Sequence, residues 1–327
     1  MVTDEFAAVH AWVIAARPQT LPVGTAPVVV GTGLAAADGV FAPGPAAAAL
    51  VGALLIQVGT NLVNDYHDAA RGVDADSPGF TRVTEAGLLP PDRVRRGAVL
   101  AYLTAVIVGA YLVAVGGLPV VAIGLSAIAA GVLYTGGPCP YGYHGLGDLF
   151  VFLYFGLVAV SGTYYVQATA PATLSPPVGL PAGTITPAAV LAGAAAGGLA
   201  TAVLVINNLR DMETDRAAGK QTLAVVLGAR WSRVELAGLF GIAYLIPVVL
   251  CLGVGRSPAV LAVWLTLPVA ADIVRTASAS AAPDELNTTL ERTGRLFAAY
   301  AVVFAAGVVA PEAGTATGRF LPLALGL

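Results

Sequence analysis

Residues 97–116, GAVLAYLTAVIVGAYLVAVG, decide the fold class, because this run of twenty residues contains no charged side chain. A helix needs about 20 mostly apolar residues to cross the hydrocarbon core of a bilayer. The run is rich in Ala, Val, Leu and Gly and does not alternate between apolar and polar residues, which argues against a strand of a membrane barrel. The sequence therefore predicts a membrane-spanning helix at this position.

Eight further stretches have the same character, so the sequence predicts an all-α polytopic membrane protein with one transmembrane domain over residues 1–327. The nine predicted spans cover residues 18–37, 45–66, 97–116, 118–136, 147–168, 187–208, 234–254, 257–275 and 296–312. The segment before the first span is acidic and has no basic region of the kind that opens a signal peptide, so we expect no cleaved leader.

The composition of the whole chain supports this class and excludes several soluble ones. Of the 327 residues, 57% are apolar and 11% are charged, whereas soluble domains carry about 25% charged residues. The mean hydropathy is +0.82. The 16 basic and 19 acidic residues offer no basic surface for nucleic acid, and two cysteines exclude a disulfide framework or a cysteine-rich metal site.

The distribution of basic residues predicts the orientation in the membrane. With a cytoplasmic N-terminus, 14 of the 16 basic residues fall in inside segments, and only Arg256 and Arg319 lie outside. Because cytoplasmic loops carry an excess of Lys and Arg, we expect a multi-pass protein of the cell membrane with its C-terminus outside. The polar loops at about 67–96, 137–146 and 208–233 then face the cytoplasm.

Two acidic motifs lie at the cytoplasmic ends of the second and sixth predicted spans. The first motif consists of Asn61, Asn64, Asp65 and Asp68 and is followed by Gly72 and Asp74. The second motif consists of Asn207, Asp211 and Asp215. Spacings of three and four residues place Asn61, Asn64 or Asp65, and Asp68 on one helix face, and the spacing of four places the second set on one face of its own helix. We expect Gly72 to end the first helix.

The chemistry of these motifs predicts a shared cation site. Carboxylates that face one another at membrane depth repel unless cations bridge them. Mg²⁺ prefers such oxygen ligands and commonly binds one or two carboxylates together with substrate phosphates. Arg82, Arg210 and Lys220 supply positive charge for a phosphate group. For any single Asp, capping or solvation of a helix end is the alternative interpretation.

A third polar segment, residues 134–148, joins the fourth and fifth predicted spans. Its glycines and prolines predict a tight, shaped loop. Tyr134 and Tyr141 are candidates for orienting an aromatic ligand, and an aromatic belt at the membrane interface is the alternative.

Together these segments resemble the UbiA superfamily of intramembrane prenyltransferases, and within it the branch that acts on 1,4-dihydroxy-2-naphthoate. The resemblance extends from about Trp12 to Phe304. It is carried by residues 17–22 (RPQTLP), 64–74 (NDYHDAARGVD), 82–87 (RVTEAG), 134–138 (YTGGP), 162–167 (GTYYVQ) and 207–220 (NNLRDMETDRAAGK). Gly72 stands where the wider superfamily often has a third Asp. The loop after Tyr134 lacks the Lys that is usual in the ubiquinone branch.

The resemblance implies nine helices around a central lipid-accessible cavity. It also implies Mg²⁺-dependent transfer of a polyprenyl group from an allylic polyprenyl diphosphate to 1,4-dihydroxy-2-naphthoate, with loss of CO₂ and diphosphate. The implied metal ligands are Asp65, Asp68, Asp74, Asp211 and Asp215, of which Asp68, Asp211 and Asp215 are catalytic. The implied substrate contacts are Asn64, Asn207, Arg82, Arg210, Lys220, Tyr134 and Tyr141.

Two alternatives remain open from the sequence. One is a related prenyltransferase with another acceptor, such as 4-hydroxybenzoate. The other is a cation-coupled transporter, because transporters also place carboxylates on opposed membrane helices. The position of both acidic motifs at span ends, next to basic loops, favours the enzyme.

Overall fold

The computed structural model describes residues 2–72, 79–170 and 176–311, and the regular structure within these ranges is helical. We number the helices in chain order. They are α1 (Val2–Ala16), α2 (Leu21–Ala37), α3 (Pro43–Arg71), α4 (Pro91–Gly116), α5 (Leu118–Leu133), α6 (Gly147–Thr169), α7 (Pro187–Arg210), α8 (Met212–Ala217), α9 (Leu223–Leu227), α10 (Ala229–Val254), α11 (Pro258–Ala279) and α12 (Pro283–Val309).

The predicted all-α polytopic membrane protein is confirmed. Eight segments of the described chain are long and apolar enough to cross a membrane, the first of them running over Val9–Ala37. The fourth predicted span, 118–136, corresponds to the shorter apolar helix α5 of 16 residues. At 1.5 Å per residue α5 is about 24 Å long, which is less than the hydrocarbon core of about 30 Å.

Helix boundaries follow local chemistry. Helices α3, α4, α7 and α12 each have Pro in the first turn, where its missing N–H costs no helical hydrogen bond. Helix α3 ends as predicted, because Gly72 adopts the left-handed conformation with φ 66°. Thr186 caps α7, since its hydroxyl oxygen accepts a hydrogen bond from the Ala189 N–H at 3.2 Å.

Small residues bring the helices of the bundle into close contact. A Cβ added to Gly33 of α2 would lie 2.6 Å from the Ala305 Cα of α12, and one added to Gly156 of α6 would lie 2.5 Å from the Gly197 Cα of α7. Gly156 lies in a π-helical turn over Phe152–Val158. Backbones this close are typical of membrane helices, where association depends on packing between small residues.

Helices α2, α6 and α7 contribute to both the buried core and the cavity. They share a large buried apolar cluster with α10, α11 and α12. They also line a cavity of about 660 Å³, whose wall α3, α4 and α5 complete. The fold thus places a cavity in the bundle next to both acidic motifs.

Candidate functional site

The cavity has one polar end and one apolar end. Its apolar end is lined by α4, α5 and α6, and the lining residues Val106 and Leu125 are 50% and 62% exposed. Its polar end is lined by Arg17, Asn61, Asn64, Asp68, Arg82, Asn207, Asn208, Arg210 and Lys220. The arrangement suits an amphipathic ligand with a long apolar part and a charged head.

Asp68 is the carboxylate of the first motif that reaches the cavity. Its side chain is buried, and its two oxygens have different partners. Tyr143 donates its hydroxyl hydrogen to Oδ1 at 2.7 Å, and Arg82 Nη2 lies 3.8 Å from Oδ2. Asn64, one turn earlier, accepts a hydrogen bond from the Thr135 hydroxyl at 2.9 Å. Asp68 is therefore held at the cavity wall with a cation beside it.

Asp65, which the sequence predicts as a metal ligand, does not line the cavity. Its Oδ2 accepts from the Val83 N–H and its Oδ1 from the Thr84 N–H, both at 3.0 Å. The carboxylate thereby fastens the turn that carries Arg82. Asp74, another predicted metal ligand, lies outside the described residues.

The second motif forms at a break between two helices. Helix α7 ends at Arg210 and α8 begins at Met212, so Asp211 lies between them. The N–H groups of Asp211 and Asp215 still donate to the carbonyls of Asn207 and Asp211, at 3.0 and 2.8 Å. The predicted shared face of Asn207, Asp211 and Asp215 therefore survives the break.

Asp211 is paired with the arginine that precedes it. Arg210 donates from Nε to Oδ1 at 2.8 Å and from Nη2 to Oδ2 at 2.6 Å. Its Nη2 also donates to Asn207 Oδ1 at 2.8 Å, and its Nη1 donates to Asn287 Oδ1 of α12 at 2.7 Å. Arg210 and Asn207 line the cavity, whereas Asp211 lies outside its wall.

Asp215 is paired with Lys220 across the turn after α8. Lys220 Nζ lies 3.3 Å from Asp215 Oδ1, while Oδ2 is buried and makes no hydrogen bond with the described residues. Burial alone would lower the pKa of Lys220, but the charges of Asp215 and Asp68 outweigh burial and raise that pKa. Lys220 therefore keeps its positive charge at the cavity wall.

Tyr143 connects the two acidic motifs. Its hydroxyl bonds to Asp68, and Lys220 Nζ lies 5.3 Å from the centre of its ring. Arg71 stacks on the same ring at 5.1 Å. The two motifs thus meet at one polar end of the cavity, as predicted from their matching positions on two spans.

Tyr134 and Tyr141 both line the cavity, between its polar and apolar parts. Tyr141 donates its hydroxyl hydrogen to the Ala130 carbonyl at 2.8 Å and stacks on Phe150 with 4.2 Å between ring centres. Tyr134 meets Tyr141 edge to face at 5.4 Å. The rings form an aromatic wall of the cavity, and a role of Tyr134 and Tyr141 in orienting an aromatic ligand stays a prediction.

The donor set fits a hard divalent cation that completes its shell with ligand oxygens. Among the residues that the structure describes, no three His, Cys, Asp or Glu side chains are close enough to hold a metal by themselves. Asp215 nevertheless pairs with Lys220, which lies over the ring of Tyr143, and the Tyr143 hydroxyl donates to Asp68. One oxygen of Asp215 is buried without a hydrogen bond to the described residues. One or two carboxylates plus phosphate oxygens is the arrangement that Mg²⁺ commonly adopts.

Three residues of this end escape the sequence prediction. Tyr143 contacts Asp68 and Asn287 contacts Arg210 across the fold, and spacing along one helix cannot reveal such contacts. In the sequence, Arg17 counts toward topology and belongs to the segment RPQTLP of the resemblance, but it is not predicted as a site residue, yet it lines the cavity. Arg17 lies at the break between α1 and α2 and has a left-handed backbone conformation. That conformation usually requires glycine, so the sequence gives no sign of it at this position.

Comparison with known proteins agrees with this architecture. The UbiA prenyltransferase family matches residues 25–287. A 1,4-dihydroxy-2-naphthoate octaprenyltransferase of Mycobacterium tuberculosis is 39% identical over 241 residues, which are 74% of this chain and 78% of the relative. The Escherichia coli enzyme of the same name is 40% identical over 237 residues, which are 70% of this chain and 72% of the relative.

Solved structures share the fold at low sequence identity. An apo UbiA homologue from Aeropyrum pernix K1 has a TM-score of 0.67 at 15% identity, covering 88% of this chain and 96% of its own. A UbiA homologue from Archaeoglobus fulgidus bound to DMAPP and Mg²⁺ has a TM-score of 0.53 at 15% identity, covering 90% of this chain and 98% of its own. The family match, the relatives and the bundle agree, and this chain belongs to the UbiA prenyltransferase family.

Proposed function

We propose that this protein transfers a polyprenyl group from an allylic polyprenyl diphosphate to 1,4-dihydroxy-2-naphthoate, releasing diphosphate and CO₂ and giving the prenylated 1,4-naphthalenediol, which is the reduced form of demethylmenaquinone. The observation that carries the proposal is the meeting of both acidic motifs at the polar end of a largely apolar cavity. The names of the two bacterial relatives support the choice of acceptor.

The polar end suits the diphosphate leaving group. When the allylic C–O bond breaks, negative charge develops on the diphosphate, and fixed positive groups stabilise that charge. Arg82, Arg210 and Lys220 all line this end. They are held by Asp68, Asp211 and Asp215 respectively, so their positions are set before the ligand arrives.

A divalent cation, which we propose to be Mg²⁺, supplies further stabilisation of the leaving diphosphate when it is bound. Asp68, Asp211 and Asp215 are the carboxylates that would hold it, together with Asp74 and with diphosphate oxygens. The unpartnered Oδ2 of Asp215 supports this assignment. So does the Archaeoglobus fulgidus homologue of the same fold, whose structure contains DMAPP and Mg²⁺.

The apolar part of the cavity suits the prenyl chain and protects the reaction. Water that reached the developing prenyl cation would convert it to an alcohol, so the site must exclude water. Ala, Gly, Val, Leu and Ile side chains from α4 and α5 line this part. A chain seated there places its first carbon beside the aromatic wall of Tyr134 and Tyr141.

The proposed setting is the cell membrane, with the polar end facing the cytoplasm. The excess of basic residues on that side supports the orientation. Both proposed substrates have anionic head groups, which the cytoplasmic side can supply without moving a charge through the bilayer.

Product masses test the proposal. The purified full chain in detergent is incubated with Mg²⁺, geranylgeranyl diphosphate, and either 1,4-dihydroxy-2-naphthoate or 4-hydroxybenzoate. We expect a prenylated naphthalene product that has lost CO₂, and little product with the benzoate. If more prenylated 4-hydroxybenzoate than prenylated naphthalene product forms, the acceptor belongs to a different class. Absence of any prenylated product would overturn the proposal.

A further inference from the structure

Arg17 differs from the other cations that line the polar end of the cavity. Arg82, Arg210 and Lys220 each face a carboxylate of the acidic motifs. Arg17 has no carboxylate partner among the described residues, and its Nη2 atom is buried without a hydrogen bond. A buried guanidinium nitrogen without an acceptor costs free energy unless a ligand supplies one. Its fork of N–H groups matches a carboxylate or phosphate.

The backbone at Arg17 is strained in a way that keeps the residue at the cavity. Arg17 has φ 52°, and it is the one non-glycine residue of the described chain with a positive φ. The left-handed conformation is unfavourable for a residue with a Cβ, and strain of this kind concentrates at functional sites. Glycine adopts this conformation without strain, so an arginine at this position points to a use for its side chain.

Helix α3 holds this break between α1 and α2 in place. The Thr20 hydroxyl donates to the Arg17 carbonyl at 2.9 Å, and its oxygen accepts from Gln57 Nε2 at 3.2 Å and Asn61 Nδ2 at 3.1 Å. Asn61 Nδ2 also donates to the Ala16 carbonyl at 3.0 Å. The network fixes the backbone on both sides of Arg17.

The same network leaves an acceptor without a partner among the described residues, on the wall of the cavity that Arg17 also lines. Gln57 uses its Nε2 on Thr20, and its Oε1 is buried without a hydrogen bond among the described residues. Gln57 lines the cavity, as Arg17 does. Tyr134 lines the same cavity as well. The site thus offers one cationic donor, one neutral acceptor and an aromatic wall.

We propose that this corner of the cavity binds the aromatic acceptor, with the Arg17 guanidinium on its carboxylate and Gln57 Oε1 accepting a hydrogen bond from a ring hydroxyl. The inference rests on the proposed function. A hydroxylated aromatic carboxylate supplies an anion for Arg17, a hydroxyl donor for Gln57 and a ring for Tyr134. The diphosphate is the other anion in the reaction, but its end of the cavity already has three cations held by the acidic motifs.

The assignment also accounts for product release. The ring forms a bond to the prenyl carbon as the C–O bond to the diphosphate breaks. The bond between ring and carboxylate then breaks, its electron pair restores the aromatic ring, and CO₂ leaves without charge. The negative charge of the acceptor is thereby lost from the organic product, and the diphosphate carries the charge away. The prenylated product has no anion for Arg17, so it binds this corner less tightly than the substrate does.

Binding measurements on the full chain in detergent test the assignment. The ligands are 1,4-dihydroxy-2-naphthoate, 1,4-dihydroxynaphthalene, which lacks the carboxylate, and geranyl diphosphate with Mg²⁺. The variants are R17G and R17K, with R93Q as the control because Arg93 is exposed at the start of α4. Because glycine tolerates the left-handed backbone, we expect R17G to unfold at the same temperature as the parent or a higher one. R17N serves as a second variant, since Asn also tolerates that conformation.

We expect R17G to weaken binding of the naphthoate by about 30-fold or more, because a buried charge pair is lost. Binding of dihydroxynaphthalene and geranyl diphosphate should change by less than about 3-fold on the same reasoning. R17K should restore part of the affinity for the carboxylate. Q57M should reduce the preference of the protein for dihydroxynaphthoate over 2-naphthoate, which has no ring hydroxyls.

The outcomes are separable. If R17G weakens geranyl diphosphate and leaves the naphthoate unchanged, Arg17 belongs to the diphosphate site and the assignment is wrong. If R17G and R17N change neither ligand, Arg17 binds no substrate and the assignment is again wrong. If the parent protein binds geranyl diphosphate but no naphthoate, the proposed acceptor fails, and this assignment fails with it.

Discussion

The Tyr143 hydroxyl donates to Asp68 Oδ1 at 2.7 Å, while Lys220 Nζ lies 5.3 Å from the centre of the same ring. One side chain from the loop between α5 and α6 therefore contacts Asp68 of the first motif and Lys220, the ion-pair partner of Asp215 in the second. The backbone of that loop is tied to the second motif as well, since the Gln221 N–H donates to the Tyr143 carbonyl at 3.0 Å. Tyr143 fixes the distance between two helices that are far apart in sequence.

Replacing Tyr143 by Phe tests this connection. The change removes a hydrogen bond to a buried carboxylate, worth about 1.5–3 kcal/mol, and we expect turnover to fall by about 10- to 100-fold. The Mg²⁺ concentration for half-maximal activity should rise, because Asp68 loses the partner that orients it. Tyr111→Phe on the exposed surface of α4 is the control and should leave both values unchanged. Equal Mg²⁺ dependence in parent and Tyr143→Phe would contradict this role.

Asp65→Asn distinguishes a loop anchor from a metal ligand. An amide cannot accept from both the Val83 and Thr84 N–H groups as the carboxylate does. We expect a loss of about 1–3 kcal/mol in the free energy of unfolding, since a buried donor is left unpaired. The KM for prenyl diphosphate should rise because the turn carrying Arg82 loosens. The Mg²⁺ dependence of turnover should stay as in the parent. A large shift in that dependence would show that Asp65 acts as a metal ligand.

The spans and the pairing of the acidic motifs are predictable from the sequence because both depend on local patterns. Runs of apolar residues specify the helices, and spacings of three and four place Asp68 and Asp211 on defined faces. Contacts between helices are different. Nothing in the spacing around Asp65 shows that its oxygens meet the backbone of a later turn, and nothing near Arg17 signals a left-handed backbone. These features arise when distant segments pack.

Another ion pair lies away from the site, at the loop after α2. Arg256 donates to both oxygens of Asp38, and the Tyr164 hydroxyl donates to Asp38 Oδ2 at 2.8 Å. Burial raises the pKa of Asp38, but the hydrogen bonds from Arg256 and Tyr164 outweigh burial and hold that pKa below its ordinary value. A carboxyl group whose pKa is lowered by folding stabilises the folded state at pH values above its ordinary pKa. This stabilisation is lost as the pH falls through the folded-state pKa.

Asp38→Asn should therefore lower the free energy of unfolding by about 2 kcal/mol at neutral pH. The difference from the parent should be the same at pH 7 and pH 5, and it should shrink only below about pH 4. Thermal unfolding in detergent across this range measures it, with Glu85→Gln in the exposed loop before α4 as the control. A difference that has already vanished at pH 5 would contradict the lowered pKa.

The contact between α6 and α7 predicts a sharp effect of one methyl group. A Cβ at Gly156 would lie 2.5 Å from the Gly197 Cα, so Gly156→Ala must push the two helices apart. We expect a loss of about 1–3 kcal/mol in stability. Gly241→Ala in α10 is the matched control, because its Cβ meets no atom within 4 Å. That control should be neutral or stabilising, and equal behaviour of the two variants would contradict the packing.

The central claim is that the two acidic motifs form one site for a prenyl diphosphate. The most direct test is Mg²⁺-dependent turnover by the parent, Asp68→Asn, Asp211→Asn and the double variant, with folding checked by thermal unfolding. Each single change should lower turnover by about 100- to 1,000-fold. The double variant should be little worse than either single one, because groups that act as a unit are not additive. Near-parental turnover by the double variant, or full activity in excess chelator, would contradict the account.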